Sequence, residues 1–468
     1  MNWKDKVKAD ALEKLDQAVP AKTTIASKPP VKRWVGIGLG GLAVAACAIA
    51  APIVIVNATR GGESPLITEK TVKLQDIREA SKDTPTVSAS SIKAYKNFYA
   101  NFAPVLLKGS QSSVSFSVFD AFVNFAVNTY FSQGETQSSL LTLFGDASLE
   151  SLPTAVKELT MAVGTPIIEG RGLMEGNALG GYSANSLWAD PSVLSFKEGD
   201  DLNRAGDDFY LSLFASRPST EAFKKWLEAV LPEGFAVPEM TPNSSDAALV
   251  SSYFLKRPNP NRLGDLHAYQ TGERMDYTYN GQTIQSGYIH FRADNGHYYE
   301  SETLIGGRNT IFGLDVYLPK DDDASPDTIM EDVIKKNYQT LYAGDRYEVN
   351  VPYFTVKSPS DGIDLLGPAR KATGSQLAKE ALQKLFTRPM YLDSIRQYSR
   401  VNFDYDGFIS ESVTVTNYAG SLPPSGDTFY LDVDRPFVFV DSWSVLSSTG
   451  FVDLPLVIGE VFDTAYSN

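Results

Sequence analysis

The chain is poor in the residues on which disulfides, zinc sites and hydrolytic triads depend. It has one cysteine, Cys47, and three histidines, His267, His290 and His297. A lone cysteine excludes a disulfide within the chain, so the fold must be stabilised by core packing. The histidines form no zinc-spaced pair and no GxSxG motif occurs, which argues against a zinc site and a Ser-His-Asp hydrolase. We therefore expect no cofactor and no bound metal.

Positive charge is also scarce, except at the N-terminus. The formal net charge is −14. Residues 1–33 carry eight Lys/Arg and four Asp/Glu, a net of +4, so residues 34–468 carry −14 − 4 = −18. Because binding to a phosphate backbone needs a basic face, nucleic acid is not an expected partner.

Long apolar runs are absent with one exception, Trp34 to Val56, which holds 23 residues without a charge. At about 1.5 Å per residue, such a helix crosses a hydrocarbon core of about 30 Å. Lys32 and Arg33 precede the run, so the positive-inside rule places the N-terminus in the cytoplasm. The sequence predicts a single-pass cell-membrane protein with a cytoplasmic tail (1–33), a transmembrane helix (34–56), an extracytoplasmic tether (57–90) and an extracytoplasmic domain (91–468).

Two other interpretations of the apolar run stay open. A secretory signal is one, although 33 residues make a long n-region. A lipoprotein signal is the other, because Val44 to Cys47 resembles a lipobox and would put a lipid on Cys47. The residues that follow Cys47 remain apolar as far as Val56, and the length matches a bilayer, so an uncleaved anchor fits better.

The pattern of apolar residues changes from helical to strand-like along the domain. Aromatic residues recur at helical spacing over residues 95–106, and Ser219 or Thr220 begins another helix. From Ala247 onward strands predominate, with one late helix predicted over about Ser375 to Phe386. Helices first and strands later, without a βαβ rhythm, predict an α+β domain with mixed or antiparallel sheets.

Several segments occur in the order that they have in one protein family. They are FSVFDAFVNFAVNTYFSQGET (116–136), ANSLW (184–188), AFKKWLEAVLPEGF (222–235), ALVSSYFLK (248–256), VYLPKD (316–321), VPYFTVKS (351–358), DRPFVFV (434–440) and LPLVIGEVFD (454–463). As an ordered set over residues 91–468 they resemble the serpin family. The resemblance implies a serpin-like fold with helices packed on mixed or antiparallel β-sheets. It also implies an exposed reactive-centre loop that a protease cuts and that then inserts into the main sheet.

The resemblance assigns the hinge and the reactive loop to the C-terminal part of the chain. The implied residues are Asp406, Gly407, Phe408, Ser410, Ser412, Thr414, Tyr418, Ala419, Gly420, Ser421 and Leu422. Because strand side chains alternate, Phe408, Ser410, Ser412 and Thr414 share one face in an inserted strand. Three of these four are small, as insertion under covering helices requires. Glu411 falls on the opposite face.

The scissile bond has two candidate positions. Counting back from the Pro-Pro break at 423–424 suggests Gly420–Ser421, and counting forward from Gly407 suggests Ser421–Leu422. The loop sequence NYAGSL (417–422) contains no Arg or Lys. The expected partner is therefore an elastase-, subtilisin- or chymotrypsin-like serine protease, with a cysteine protease as the alternative.

Four positions match those that control opening of the sheet in the family. They are Ser117, Asp120, Ser251 and Gln397. Three differ from the usual residue, because Asp120 stands for Ser, Ser251 for Asn and Gln397 for His. If the sheet opens, other hydrogen bonds must control it, such as one between Asp120 and Gln397.

These observations give one leading hypothesis and one alternative. The first is a membrane-anchored, extracytoplasmic serpin-like inhibitor of serine proteases, not an enzyme, which acts by loop cleavage and insertion into the central sheet. The alternative is a non-inhibitory serpin-fold surface protein used for binding or display. The bulky Phe408 and the altered control positions favour the alternative.

Overall fold

The computed structural model describes the predicted domain and the last five residues of the predicted tether, 86–90, with several gaps. The described residues are 86–163, 180–230, 237, 240, 245–258, 269–293, 296–309, 313–344, 346–404, 407–410 and 428–463. The predicted cytoplasmic tail and transmembrane segment lie outside these ranges and stay predictions. Within the described ranges, no helix is both long and apolar enough to cross a membrane.

Eight α-helices and two short 3-10 helices lie in the described part of the chain. The α-helices are α1 (Ala89–Leu107), α2 (Val118–Phe131), α3 (Gly134–Leu141), α4 (Leu152–Val163), α5 (Asp200–Asp207), α6 (Thr220–Val230), α7 (Asp327–Lys335) and α8 (Leu366–Thr373). The 3-10 helices are Thr142–Phe144 and Leu149–Ser151. The two helices predicted from periodicity are α1 and α6. Ser219 is the residue that caps α6, because its hydroxyl accepts a hydrogen bond from the Ala222 N–H at 3.2 Å.

The described strands are numbered in chain order. They are β1 (Thr86–Val87), β2 (Val114–Ser117), β3 (Gly180–Ala189), β4 (Leu211–Phe214), β5 (Ala247–Pro258), β6 (Tyr269–Tyr279), β7 (Gln282–Ala293), β8 (Gly296–Glu300), β9 (Leu304–Asn309), β10 (Leu314–Pro319), β11 (Gln339–Ala343), β12 (Tyr347–Pro352), β13 (Phe354–Lys357), β14 (Ile363–Asp364), β15 (Arg396–Gln397), β16 (Arg400–Asp404), β17 (Gly407–Ser410), β18 (Phe429–Asp432), β19 (Phe437–Ser447) and β20 (Gly450–Val461).

The strands form three main sheets and one short pair. The large sheet has the order β11-β8-β9-β10-β19-β20-β2, with β1 paired to β19. A second sheet has the order β18-β12-β7-β6, and β14 pairs with β15. The third, here called the central sheet, has the order β13-β16-β17-β5-β3-β4. Most pairs are antiparallel, and β1–β19, β12–β18 and β3–β4 are parallel. The predicted α+β class with mixed or antiparallel sheets is confirmed.

The central sheet lies between α6 on one face and α2 on the other. On the α6 side, the Trp188 ring stacks on Phe214 at 4.0 Å and meets Phe223 of α6 at 5.4 Å. On the α2 side, Phe119 contacts Tyr253 of β5, with 5.0 Å between the ring centroids. Since strand side chains alternate, odd-numbered residues of β5 face α2 and even-numbered ones face α6.

The helix predicted over Ser375 to Phe386 is wrong. α8 ends at Thr373, and Gly374 follows with a left-handed φ of 66°. Leu377 also has a positive φ of 50°, so the chain turns there and does not continue as a helix. Leu377 and Leu385 are both buried in the core. The apolar residues whose spacing indicated a helix are buried here as well, but turns and not a helix bring them into the core.

Two ends of the domain are defined by the strands that meet there. Thr86 of β1 pairs with Leu446, next to the β19–β20 hairpin. At the other end of β19, the ring of Phe437 contacts Phe354, which pairs with Phe403 of β16. The turn from β16 to β17 therefore lies at the opposite end of β19 from β1. We call these ends the β1 pole and the loop pole. They are about 34 Å apart along β19, at about 3.4 Å per residue.

Candidate functional site

The central sheet contains a gap between β5 and β16. β17 pairs with β16 along four residues, from Gly407–Asp404 to Ser410–Val401. It pairs with β5 only at the loop pole, through Gly407–Pro258 and Phe408–Arg257. Beyond β17, towards the β1 pole, the facing edges of β5 and β15–β16 border a cavity of about 540 Å³. We call this cavity the cleft.

The floor of the cleft is a polar face of α2. Asp120, Asn124 and Asn128 line the cleft, and their spacing of four residues puts them on one side of the helix. α2 is otherwise strongly apolar, and its neighbouring phenylalanines are buried in the core. Polar side chains at this spacing in such a helix are costly unless they have a partner.

One edge of the cleft is hydrogen-bonded to β2 and to the start of α2. The Ser117 N–H donates to Gln397 Oε1 at 2.8 Å, and Gln397 Nε2 donates to the Ser117 carbonyl at 2.9 Å. Two residues further on, Ser399 Oγ donates to the Ser115 carbonyl at 2.9 Å. These bonds attach the segment from β15 to β16 to β2, which lies beneath the central sheet.

The other edge is held by α2 itself. Asn124 Nδ2 donates to Ser251 Oγ of β5 at 2.8 Å. Asn128 Nδ2 in turn donates to Asn124 Oδ1 at 3.0 Å, which orients the Asn124 amide. Among the described residues, no hydrogen bond joins Ser251 to Gln397. Each edge is therefore attached to the underlying layer and not to the other edge, which leaves room for a strand between them.

Asp120 is the ionisable group on the floor of the cleft. Its Oδ1 is buried and has no hydrogen-bond partner among the described residues. Burial raises the pKa of Asp120 to about 8, while the nearby side-chain amide of Gln397 lowers it. The two well-formed hydrogen bonds of Gln397 go to the Ser117 backbone. At neutral pH the carboxyl is therefore mostly protonated.

Comparison with known proteins identifies the fold that contains this cleft. No protein-family model and no curated protein matches the chain. Among solved structures, the thermophilic serpin tengpin in its native state matches with a TM-score of 0.59 and 16% identity. The match covers 81% of this chain and 96% of tengpin. The chain has a divergent serpin fold.

Other serpin folds match over a similar length. Human thyroxine-binding globulin complexed with thyroxine matches with a TM-score of 0.55 and 14% identity, covering 80% of this chain and 100% of that one. Serpin48, described as a highly specific serpin of the insect Tenebrio molitor, matches with a TM-score of 0.51 and 15% identity, covering 78% and 97%. The serpin fold alone does not decide between protease inhibition and ligand binding.

The serpin fold brings together the four positions that the sequence singled out as sheet-opening controls. Ser117, Asp120, Ser251 and Gln397 all line the cleft. Their role in opening remains a prediction. Sequence reasoning missed Asn124, the residue that bonds to Ser251. The recurrence of a polar residue every fourth position in an apolar helix was the signal that could have found it.

The predicted loop residues divide into two groups. Gly407, Phe408 and Ser410 lie in β17, inside the central sheet. The remaining predicted positions lie outside the described residues: Asp406, Ser412, Thr414, Tyr418, Ala419, Gly420, Ser421 and Leu422.

Proposed function

We propose that the protein is a membrane-anchored, extracytoplasmic inhibitor of serine proteases. A target protease attacks the loop between β17 and β18 near Gly420 to Leu422 and forms an acyl link to it. The cut loop then enters the cleft as a new strand and carries the protease with it. One observation carries the proposal: the register of β17 matches polar loop residues with polar residues at the edges of the cleft.

The register follows from the pairs that already exist. In an antiparallel pair of strands the two residue numbers of every pair have the same sum. For β17 and β5 this sum is 665, as for Gly407 with Pro258. For β17 and β16 it is 811, as for Ser410 with Val401. If the strand continues at this register, residue 414 meets residues 251 and 397, because 665 − 414 = 251 and 811 − 414 = 397.

The face of the inserted strand that carries Ser412 and Thr414 would meet the α2 side of the cleft. At this register Thr414 would pair with both Ser251 and Gln397, whose side chains bond to α2 and to the Ser117 backbone. Directly paired residues share a face of a sheet, so Thr414 would point to the same polar layer. Ser412, two residues earlier, would pair with Ser399. On the β16 side of the cleft, the polar loop residues would thus meet polar neighbours.

The one charged residue of the inserting segment also gains a partner. Glu411 falls on the opposite face and would pair with Arg400, since 811 − 411 = 400. Arg400 is exposed and stands directly opposite Lys357 in the β13–β16 pair. Like charges in that position destabilise a sheet, and an inserted carboxylate would offset their repulsion.

The bulky Phe408 presents less of an obstacle than its size suggests. Its backbone is already in the sheet, paired with Phe403 on one side and Arg257 on the other. Further insertion would begin at Glu411 and not at the hinge. From residue 410, the end of β17, to residue 420 the strand would advance about 34 Å, at about 3.4 Å per residue.

The covalent trap provides the direct test. We expect an SDS-stable complex with at least one elastase-, subtilisin- or chymotrypsin-like protease, because NYAGSL offers apolar and small residues to such specificity pockets. A papain-like cysteine protease is the second class to test. Each protease with its nucleophile replaced by alanine is the control, since it can bind but not acylate. Cleavage without a complex by every protease would reject inhibition of these classes.

A non-inhibitory role in binding or display is the second candidate. The match to thyroxine-binding globulin, whose structure contains thyroxine, supports it. A chain that every protease in the panel cuts without trapping would favour this role. Phe408→Thr is then the informative variant, because restored trapping would identify the bulky hinge residue as the cause.

Membrane anchoring predicts how intact cells respond to added protease. The Lys/Arg excess before Trp34 and the apolar run to Val56 predict that the domain lies outside. External protease should remove the domain and leave residues 1–33 protected, as judged by tags at the two termini. Digestion of the N-terminal tag from outside would reverse the orientation. A lipid found on Cys47 by mass spectrometry would replace the transmembrane anchor with a lipid anchor.

A further inference from the structure

An ionisable carboxyl lies where the inserted strand of the proposed inhibitor would pass. Asp120 lines the cleft on the α2 side, and its buried Oδ1 has no hydrogen-bond partner among the described residues. Ser251 and Gln397, the edge residues at the level where Thr414 would pair, belong to the same polar layer. An incoming strand would therefore cover Asp120.

We propose that Asp120 is a proton-dependent positioning residue, whose carboxyl must be neutral for the loop to insert, so that alkaline conditions convert the inhibitor into a substrate. The inference rests on the proposed inhibitory function and deepens it. A neutral carboxyl can donate one hydrogen bond and accept others, and so it can bond to an oxygen of the inserted strand. An ionised carboxyl can only accept.

The surroundings offer no counter-charge on the α2 side of the cleft. The other titratable or charged residues that line it are Asp246, Tyr253, Tyr391, Asp393, Arg396, Tyr398 and Arg400. Arg396 and Arg400 alternate with Gln397 and Ser399 along the chain, and so they fall on the face away from α2. The pKa of Asp120 responds to burial and to the neutral amide of Gln397. Among the described residues that line the cleft, none is a cation on the α2 side that would stabilise an ionised Asp120 under an inserted strand.

Insertion makes an ionised Asp120 more costly than it is in the open cleft. A strand in the cleft displaces the water next to the carboxyl, and a carboxylate without water or a counter-ion is strongly disfavoured. Insertion at alkaline pH must therefore take up one proton from solvent. Insertion at neutral pH takes up none, because the carboxyl already carries its proton.

The direction and the pH range follow from the raised pKa. Below about pH 7 Asp120 is neutral before and after insertion, so insertion does not depend on its titration. In the open cleft the pKa of Asp120 is about 8, so the carboxyl is ionised above this pH before the loop inserts. Each further pH unit then disfavours insertion by up to about tenfold, the full linkage to one proton.

The partition between trapped complex and cleaved inhibitor measures this coupling. The full-length chain in detergent micelles is incubated with one trapped protease from pH 6 to 9.5, and the two products are quantified on gels. The wild-type ratio should be nearly constant up to about pH 7.5 and fall by up to about 25-fold by pH 9.5. Asp120→Asn should keep a constant ratio. Asp120→Ser serves as a second variant in case the first does not fold.

Glu460 supplies a matched control. Burial also raises the pKa of its carboxyl to about 8, with Asp327 adding to the shift. It lies in β20, does not line the cleft and pairs with Val438 and Val114. Glu460→Gln should therefore follow the wild-type pH profile. If Asp120→Asn and Glu460→Gln change the pH profile in the same way, the profile reflects the general stability of the domain and not a specific role of Asp120.

The outcomes separate this inference from the proposed function. A flat wild-type profile with trapping at every pH leaves the inhibitor standing and overturns the role of Asp120. A fall in Asp120→Asn that equals the wild-type fall overturns it as well. Trapping at no pH rejects the inhibitor. The melting temperature of the loop-cleaved protein at pH 7 and pH 9 then shows whether insertion, and its dependence on Asp120, occurs without a protease.

Discussion

Cutting the loop between Tyr418 and Leu422 should raise the melting temperature of the domain by at least about 10 °C. A freed strand can fill a cleft of about 540 Å³. At about 24 cal/mol per Å³, filling a closed cavity of this volume is worth up to roughly 13 kcal/mol, and an open cleft is worth less. Each kcal/mol shifts the melting temperature of a large domain by roughly 2 °C. Scanning calorimetry of intact and cut protein measures the change.

A cut elsewhere provides the control for this experiment. A protease site engineered into the exposed turn Asp321–Asp323 frees no strand that could enter the cleft. Cleavage there should leave the melting temperature unchanged or lower it. If loop cleavage behaves in the same way, the loop is a passive exposed segment and the non-inhibitory role gains support.

Ser412→Pro should convert the proposed inhibitor into a substrate. At the register of β17, residue 412 would lie between Tyr253 and Ser399, in a strand with neighbours on both sides. Proline has no N–H to donate, and leaving the facing carbonyl of a central strand unpaired costs up to roughly 3 kcal/mol. A cost of about 3 kcal/mol lowers the ratio of trapped to cleaved product by roughly a hundredfold. Gel quantification after reaction with a trapped protease measures this ratio.

Ser412→Ala is the matched control, because it keeps the N–H and a small side chain. It should trap protease as the wild type does. Ser410→Arg tests the same face by a different route, since it puts a charge beside the buried Val401. Equal trapping by Ser412→Pro and Ser412→Ala would contradict insertion at this register.

A charge swap, Glu411→Arg with Arg400→Glu, checks the register directly, because the double variant should trap better than either single one.

The fold could be predicted from the sequence where one face of an element is buried. α1 and α6 each have a buried face, so their apolar spacing was informative. The helix predicted over Ser375 to Phe386 is absent because turns with positive φ, as at Leu377, bury the same apolar residues as a helix would. Spacing alone does not distinguish the two.

The site could be predicted only in part, and by resemblance more than by pattern. Ser117, Asp120, Ser251 and Gln397 were found by their positions within matching segments, and they do share one cleft. The Asn124–Ser251 bond was missed because it joins α2 to β5 across 127 positions of sequence. The depth to which β17 already enters the sheet was also out of reach, since it depends on pairing with strands distant in the chain.

The attachment of β1 to β19 has a consequence for where a captured enzyme would end up. Thr86 and Val87 pair with β19 beside the β19–β20 hairpin, and β17 begins at the far end of the sheet. If the chain is anchored through the residues before Thr86, the hinge residue Gly407 lies at the pole away from the start of the described domain. Insertion runs towards the β1 pole, over about 34 Å. Under the proposed mechanism, a captured enzyme would therefore be carried from the loop pole towards the end of the domain at which Thr86 lies.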